Sequence, residues 1–196
     1  NITTTDPLGC QSINAATNHL GEDYSKISDK ERIQRLCNVK SLESSVMLED
    51  DIERDTIDVI GVIRTIQSYN GEEGCNRYII SHCNSALNVM EVYGLFLLGG
   101  WKPEKLTVDI VPLFETIGDL KNAAGVMKEL YDNELYRNHI KQRGDQQTIM
   151  VGFSDGTKDG GYLMANWSIY KAKEELTALS REYNIDVVFF DGRGGP

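Results

Sequence analysis

Apolar positions divide the chain into two textures. In the first third they recur at helical spacing: Ile52, Thr56, Val59, Ile60, Ile63 and Ile66 fall on one helical face, and Asn70-Gly71 ends the run. Ser28-Asp29-Lys30-Glu31 has the form of a capping box and predicts a short helix. From Arg77 onward, short β-branched runs alternate with longer amphipathic ones. "RYIIS", "LTVDIVPLF", "QTIMVGF" and "IDVVFF" predict strands beginning near Arg77, Leu106, Gln147 and Ile185. Their starts lie 29, 41 and 38 positions apart, and each gap holds a helical pattern, at 85–98, 119–131 and 162–183.

No gap is a tight hairpin, so successive strands are joined by right-handed crossovers and lie parallel. The expected fold class is α/β, about four parallel strands with covering helices over 77–196, preceded by a mainly helical region over 1–76. Parallel strands all point one way, so whatever follows each strand gathers at one rim of the sheet. Those residues are His82, Cys83 and Asn84; Glu115 and Thr116; Ser154, Asp155 and Lys158; and Asp191, Gly192 and Arg193.

Charge narrows what that rim could serve. Twenty Lys and Arg against thirty Asp and Glu give a net charge of -10, which repels a nucleic-acid backbone, and no basic stripe with interleaved aromatics offsets it. The longest apolar stretch, Val92 to Trp101, is too short and too glycine-broken to span a bilayer. Cys10, Cys37, Cys75 and Cys83 lack zinc-finger spacing and read as free thiols of a reducing, cytoplasmic compartment. The acidic run "EDDIERD", Glu49 to Asp55, is expected to be a solvated first helical turn rather than a metal cluster.

The densest chemistry lies in "GFSDGTKDGG", Gly152 to Gly161, an expected pliable loop. A P-loop requires its lysine after the spaced glycines, which this order does not provide. A calcium loop starting at Asp155 would need a bidentate glutamate where Asn166 stands. Glu115 and Asp155 fit a carboxylate pair for Mg2+ or Mn2+, or equally the caps of the helices that follow them. Lys158 and Arg193 could offset phosphate or carboxylate charge beside glycines whose amides approach an anion closely, although Lys158 also suits a solvated surface. His82 is expected to be structural, with metal ligation or proton transfer as the alternative.

"VPLFETIGDL", "GFSDGTKDGG" and "FDGRGG", in this order and at these separations, resemble segments of phosphoenolpyruvate carboxylase, and "RYIISHCNSALNVMEV" resembles the strand and helix preceding them. The resemblance implies a large (β/α)8 TIM-type barrel enzyme, a carbon-carbon lyase of which this chain supplies about half the barrel strands. The implied reaction adds bicarbonate to phosphoenolpyruvate, by way of carboxyphosphate and the enolate of pyruvate, giving oxaloacetate and phosphate with Mg2+ or Mn2+. Carried over, Glu115 and Asp155 match the metal ligands and Lys158 matches a lysine lining the substrate site. Arg193, with Gly192 and Gly194, matches the glycine loop that handles phosphate. Asp191 occupies a catalytic position where the family usually reads histidine; a carboxylate cannot replace that imidazole, but could orient Arg193. The resemblance further implies a cytoplasmic homo-oligomer, with neither nucleic acid nor membrane as partner. The 196-residue chain alone is expected to be inactive and to self-associate through open sheet edges. The alternative expectation is a non-catalytic, barrel-derived binding or assembly module.

Overall fold

The computed structural model describes residues 2–4, 24–39 and 51–192. Helix α1 (Asp29–Leu36) starts where the capping box places it, with the Glu31 N–H donating to Ser28 Oγ and the Ser28 N–H to the Glu31 carboxylate at 3.0 Å. These hydrogen bonds from Ser28, side chain first and then backbone, hold the Glu31 carboxyl below its ordinary range. Helix α2 (Asp51–Asn70) ends at Gly71, which takes φ 77°. Of its expected apolar face, Ile60 and Ile63 are fully buried while Val59 stays exposed. Asp51 to Asp55 form its first turns, and Glu49 and Asp50 lie outside the described residues. No group of three or more His, Cys, Asp or Glu that could hold a metal ion occurs among the described residues.

The four expected strands form as β2 (Arg77–Ile80), β3 (Asp109–Phe114), β4 (Gln146–Gly152) and β5 (Asp186–Gly192). A short fifth, β1 (Ile2–Thr4), pairs parallel with β2, and nothing in so brief a polar-flanked run announces it. All pairings are parallel and the strands lie in chain order, β1-β2-β3-β4-β5. Helix α3 (Ala86–Leu98) joins β2 to β3, α4 (Ile117–Asp132) and α5 (Glu134–Gln142) join β3 to β4, and α6 (Ser154–Glu182) joins β4 to β5. Helix α5 was not foreseen as separate; Asn133 divides it from α4 and caps it by accepting the Tyr136 N–H at 3.1 Å.

Strand alternation assigns the faces. Tyr78, Ile80, Ile110, Phe114, Ile149 and Val151 join the main core with the helices, whereas Ile79, Val111 and Leu113 form a second cluster with Met150 on the opposite face. Helices on one face of a sequentially ordered parallel sheet are the arrangement of part of a (β/α)8 barrel, since a doubly wound sheet reverses its strand order and is covered on both faces. Helix α3 is buried at every residue but Asn88, as its predominantly apolar composition requires. Within it, Glu91 accepts a hydrogen bond from the Tyr24 hydroxyl at 3.1 Å.

The stretch expected as a pliable loop, 152–161, is instead largely helical. Helix α6 begins at Ser154, breaks at Gly161 (φ 79°, ψ 168°) and resumes. The Thr157 N–H and hydroxyl both bond to the Phe153 carbonyl, at 3.0 and 2.8 Å, closing the first turn. Packing against α4 overrides the low helix propensity of the glycines, because a Cβ on Gly160 would stand 2.1 Å from Ile117 Cδ1. Cys37, Cys75 and Cys83 are free thiols, and Cys10 lies outside the described residues. No helix among the described residues is long and apolar enough to cross a membrane.

Candidate functional site

The C-terminal ends of β2 to β5 form the rim. His82, just past β2, sits at φ 53° and is exposed, and its backbone N–H donates to Glu115 Oε1 at 2.7 Å. Glu115 directly follows β3 and does not cap the next helix. Thr116 does, accepting the Asp119 N–H at 3.1 Å while the Asp119 carboxylate accepts the Thr116 N–H at the same distance. The capping alternative therefore fails for Glu115, whose half-buried carboxylate is held by one backbone donor. Its second oxygen, Oε2, makes no hydrogen bond or ion pair among the described residues, as suits a hard oxygen donor for a divalent cation.

Glycine brings β4 against this carboxylate. A Cβ on Gly152 would lie 2.6 Å from Glu115 Cβ and 3.0 Å from its Cα, so only a residue without a side chain lets the two strand ends close. Asp155 lies inside the first turn of α6, whose N-cap is Phe153, so it is not the cap either. Lys158 follows on the same short helical segment with its side chain exposed. Asp155 and Lys158 thus share one turn immediately beyond Gly152.

The end of β5 is arranged differently. Asp191 has the strand parity of Val187 and Phe189, which pack on the helix-side core, and its carboxylate takes a salt bridge from Lys173 of α6 at 2.5 Å. The Lys173 ammonium also lies 5.5 Å from the centre of the Phe189 ring. Gly192 closes against β4, where a Cβ would meet Met150 Cε at 2.6 Å. Arg193 and Gly194 lie outside the described residues, and with them the expected Asp191–Arg193 contact. Sequence reasoning missed Lys173, which no motif marks, since it is one of several lysines on an amphipathic helix. It also missed why position 152 is glycine, although an apolar strand stopping at a lone glycine carried that signal.

The sequence model of the family described as phosphoenolpyruvate carboxylase matches residues 10–196. Among curated relatives, a phosphoenolpyruvate carboxylase of Corynebacterium diphtheriae is 34% identical over 187 aligned residues, covering 89% of this chain and 20% of the relative. The chain therefore spans about one fifth of that relative's length. The family match runs through every strand-end segment of the rim, and the chain belongs to the phosphoenolpyruvate carboxylase family.

Proposed function

We propose that this chain carries the metal and phosphate loops of a phosphoenolpyruvate carboxylase that adds bicarbonate to phosphoenolpyruvate, releasing oxaloacetate and inorganic phosphate. The observation that carries the reading is the coincidence of the family match with a rim where Glu115 is oriented by His82 and closed against Gly152. Glu115 and Asp155 would hold Mg2+ or Mn2+, and the ion would supply stabilisation of negative charge developing on the enolate oxygen. The His82 N–H keeps the Glu115 carboxylate turned toward the rim. Lys158, on the first turn beyond the strand, offsets substrate charge, and Arg193 with its flanking Gly192 and Gly194 receives the phosphate. The donor set is one of hard oxygens, which favours these ions over zinc.

The whole enzyme acts in the cytoplasm as a homo-oligomer in this reading, and the 196-residue chain alone makes no oxaloacetate. The test is Mn2+ binding followed by electron paramagnetic resonance, comparing the full polypeptide with its Glu115→Gln and Asp155→Asn variants. Loss of bound Mn2+ in both is the expected result; retention in both overturns the ligand assignment. Transfer of label from bicarbonate into oxaloacetate by the full polypeptide tests the reaction itself.

A second reading, a non-catalytic barrel-derived module, draws support from Asp191, which is paired with Lys173 where the family usually has histidine. Bicarbonate incorporation by the full polypeptide that rises only with Asp191→His favours that module; incorporation by the parent rules it out.

A further inference from the structure

The function proposed above uses the backbone of His82 and leaves its side chain without a task. The imidazole is exposed at the strand-end rim, and no hydrogen bond, ion pair or ring contact among the described residues holds it elsewhere. It hangs from the same Cα as the N–H that donates to Glu115 Oε1 at 2.7 Å. The pinned main chain therefore holds Cβ beside that carboxylate, and rotation about χ1 and χ2 sets where the ring lies. Glu115 Oε2 likewise has no partner among the described residues. An imidazole and a carboxylate oxygen, both without partners, thus belong to two residues tied together by one backbone hydrogen bond.

The backbone at this position gives a second, independent reason to assign the ring a role. His82 has φ 53°, in the left-handed region where glycine is at ease and a Cβ is crowded. Among the described residues the other non-glycine positions with positive φ are Asp145 and Asn184, whose short polar side chains suit that conformation. Histidine tolerates it better than most side chains but gains nothing from it over glycine. Glycine or asparagine would keep the N–H that orients Glu115, so that task does not account for an imidazole here. A ligand for the ring does. Imidazole nitrogen beside an oriented carboxylate is a mixed donor pair for a divalent transition ion.

We propose that the His82 imidazole is a direct ligand of the divalent ion, adding a nitrogen donor to the carboxylates of Glu115 and Asp155. The inference rests on the metal site proposed above and supplies what that reading lacks, a preference between its two ions. Mg2+ favours oxygen donors, whereas Mn2+ accepts imidazole nitrogen more readily, so His82 biases the site toward Mn2+. The test is pulsed electron paramagnetic resonance of Mn2+ bound to the full polypeptide. A directly bound imidazole nitrogen modulates the electron-spin echo, and isotopic labelling of histidine nitrogen alters that modulation. The parent is expected to show it and His82→Gly, which keeps the backbone donor, to lose it. Mn2+ affinity should weaken about tenfold or more in that variant while Mg2+ affinity changes about twofold or less, with circular dichroism confirming that it folds. Mn2+ bound by the parent without nitrogen modulation overturns the inference and leaves the two carboxylates standing. Modulation that survives in His82→Gly overturns it as well, because another residue then supplies the nitrogen. If the parent binds no Mn2+, the inference and the site it rests on fall together.

Discussion

The backbone N–H of His82 donates to Oε1 of Glu115 at 2.7 Å, tying the residue after one strand to the residue after the next. The bond uses the main chain, so the imidazole at position 82 is free of that duty. His82→Gly keeps the donor and relieves φ 53°, and its stability is expected to stay within about 1 kcal/mol of the parent. His82→Pro removes the N–H and cannot take that φ, and should cost about 2 kcal/mol or more in urea unfolding. If His82→Gly preserves the fold yet abolishes bicarbonate incorporation by the full polypeptide, the ring has a chemical task beyond this geometry.

Gly152→Ala places a methyl group 2.6 Å from Glu115 Cβ and 3.0 Å from its Cα. Backbone cannot yield as a flexible side chain does, so the variant should lose about 1–3 kcal/mol of stability. Mn2+ affinity should fall with it, because Glu115 is displaced. Denaturant titration beside Mn2+ titration checks both, and unchanged values for each would show that the strand ends are not in close contact.

The Lys173–Asp191 pair is partly exposed, at 28% and 37% of the two side chains. Its coupling energy, from a double-mutant cycle of Lys173→Met and Asp191→Asn, is expected to lie below about 1 kcal/mol and to shrink with added salt. A coupling several times larger would assign the pair a role beyond a surface ion pair.

His139 predicts an acid limb. Its folded pKa, about 4, lies below the ordinary 6.5, so the unfolded chain binds the proton first as pH falls. The folded state is therefore stabilised above about pH 6.5, loses that stabilisation between about 6.5 and 4, and changes no further from this source below about 4. The full loss is on the order of 3 kcal/mol. Tyr93 meets the ring edge-on and Tyr136 at a tilt, Arg143 adds like charge, and the hydrogen bond to the Val108 backbone offsets burial only in part. Urea midpoints across this range, for the parent and His139→Gln, measure it; a flat profile in the parent contradicts the burial argument.

Local pattern alone specified the α/β class, four of the five strands among the described residues, the α1 capping box and the identity of the strand-end residues. Each is a local property: short β-branched, apolar runs such as that before Phe114, the Ser28–Glu31 spacing, or polar residues at the end of an apolar run. Even the family resemblance rested on contiguous segments. Which partner each rim residue takes was settled by packing in three dimensions. Glu115 could have capped a helix, but Thr116 does so, and a backbone N–H 33 positions away orients Glu115 instead. Asp191 turns to Lys173, 18 positions before it, because strand parity aims it at the helix layer. The glycine-rich 152–161 stretch coils because packing on Ile117 outweighs its weak intrinsic preference, and β1 exists only because the β2 edge is there to pair with it. Contacts between residues far apart in the chain depend on where crossovers place them in space, and no local pattern encodes that distance.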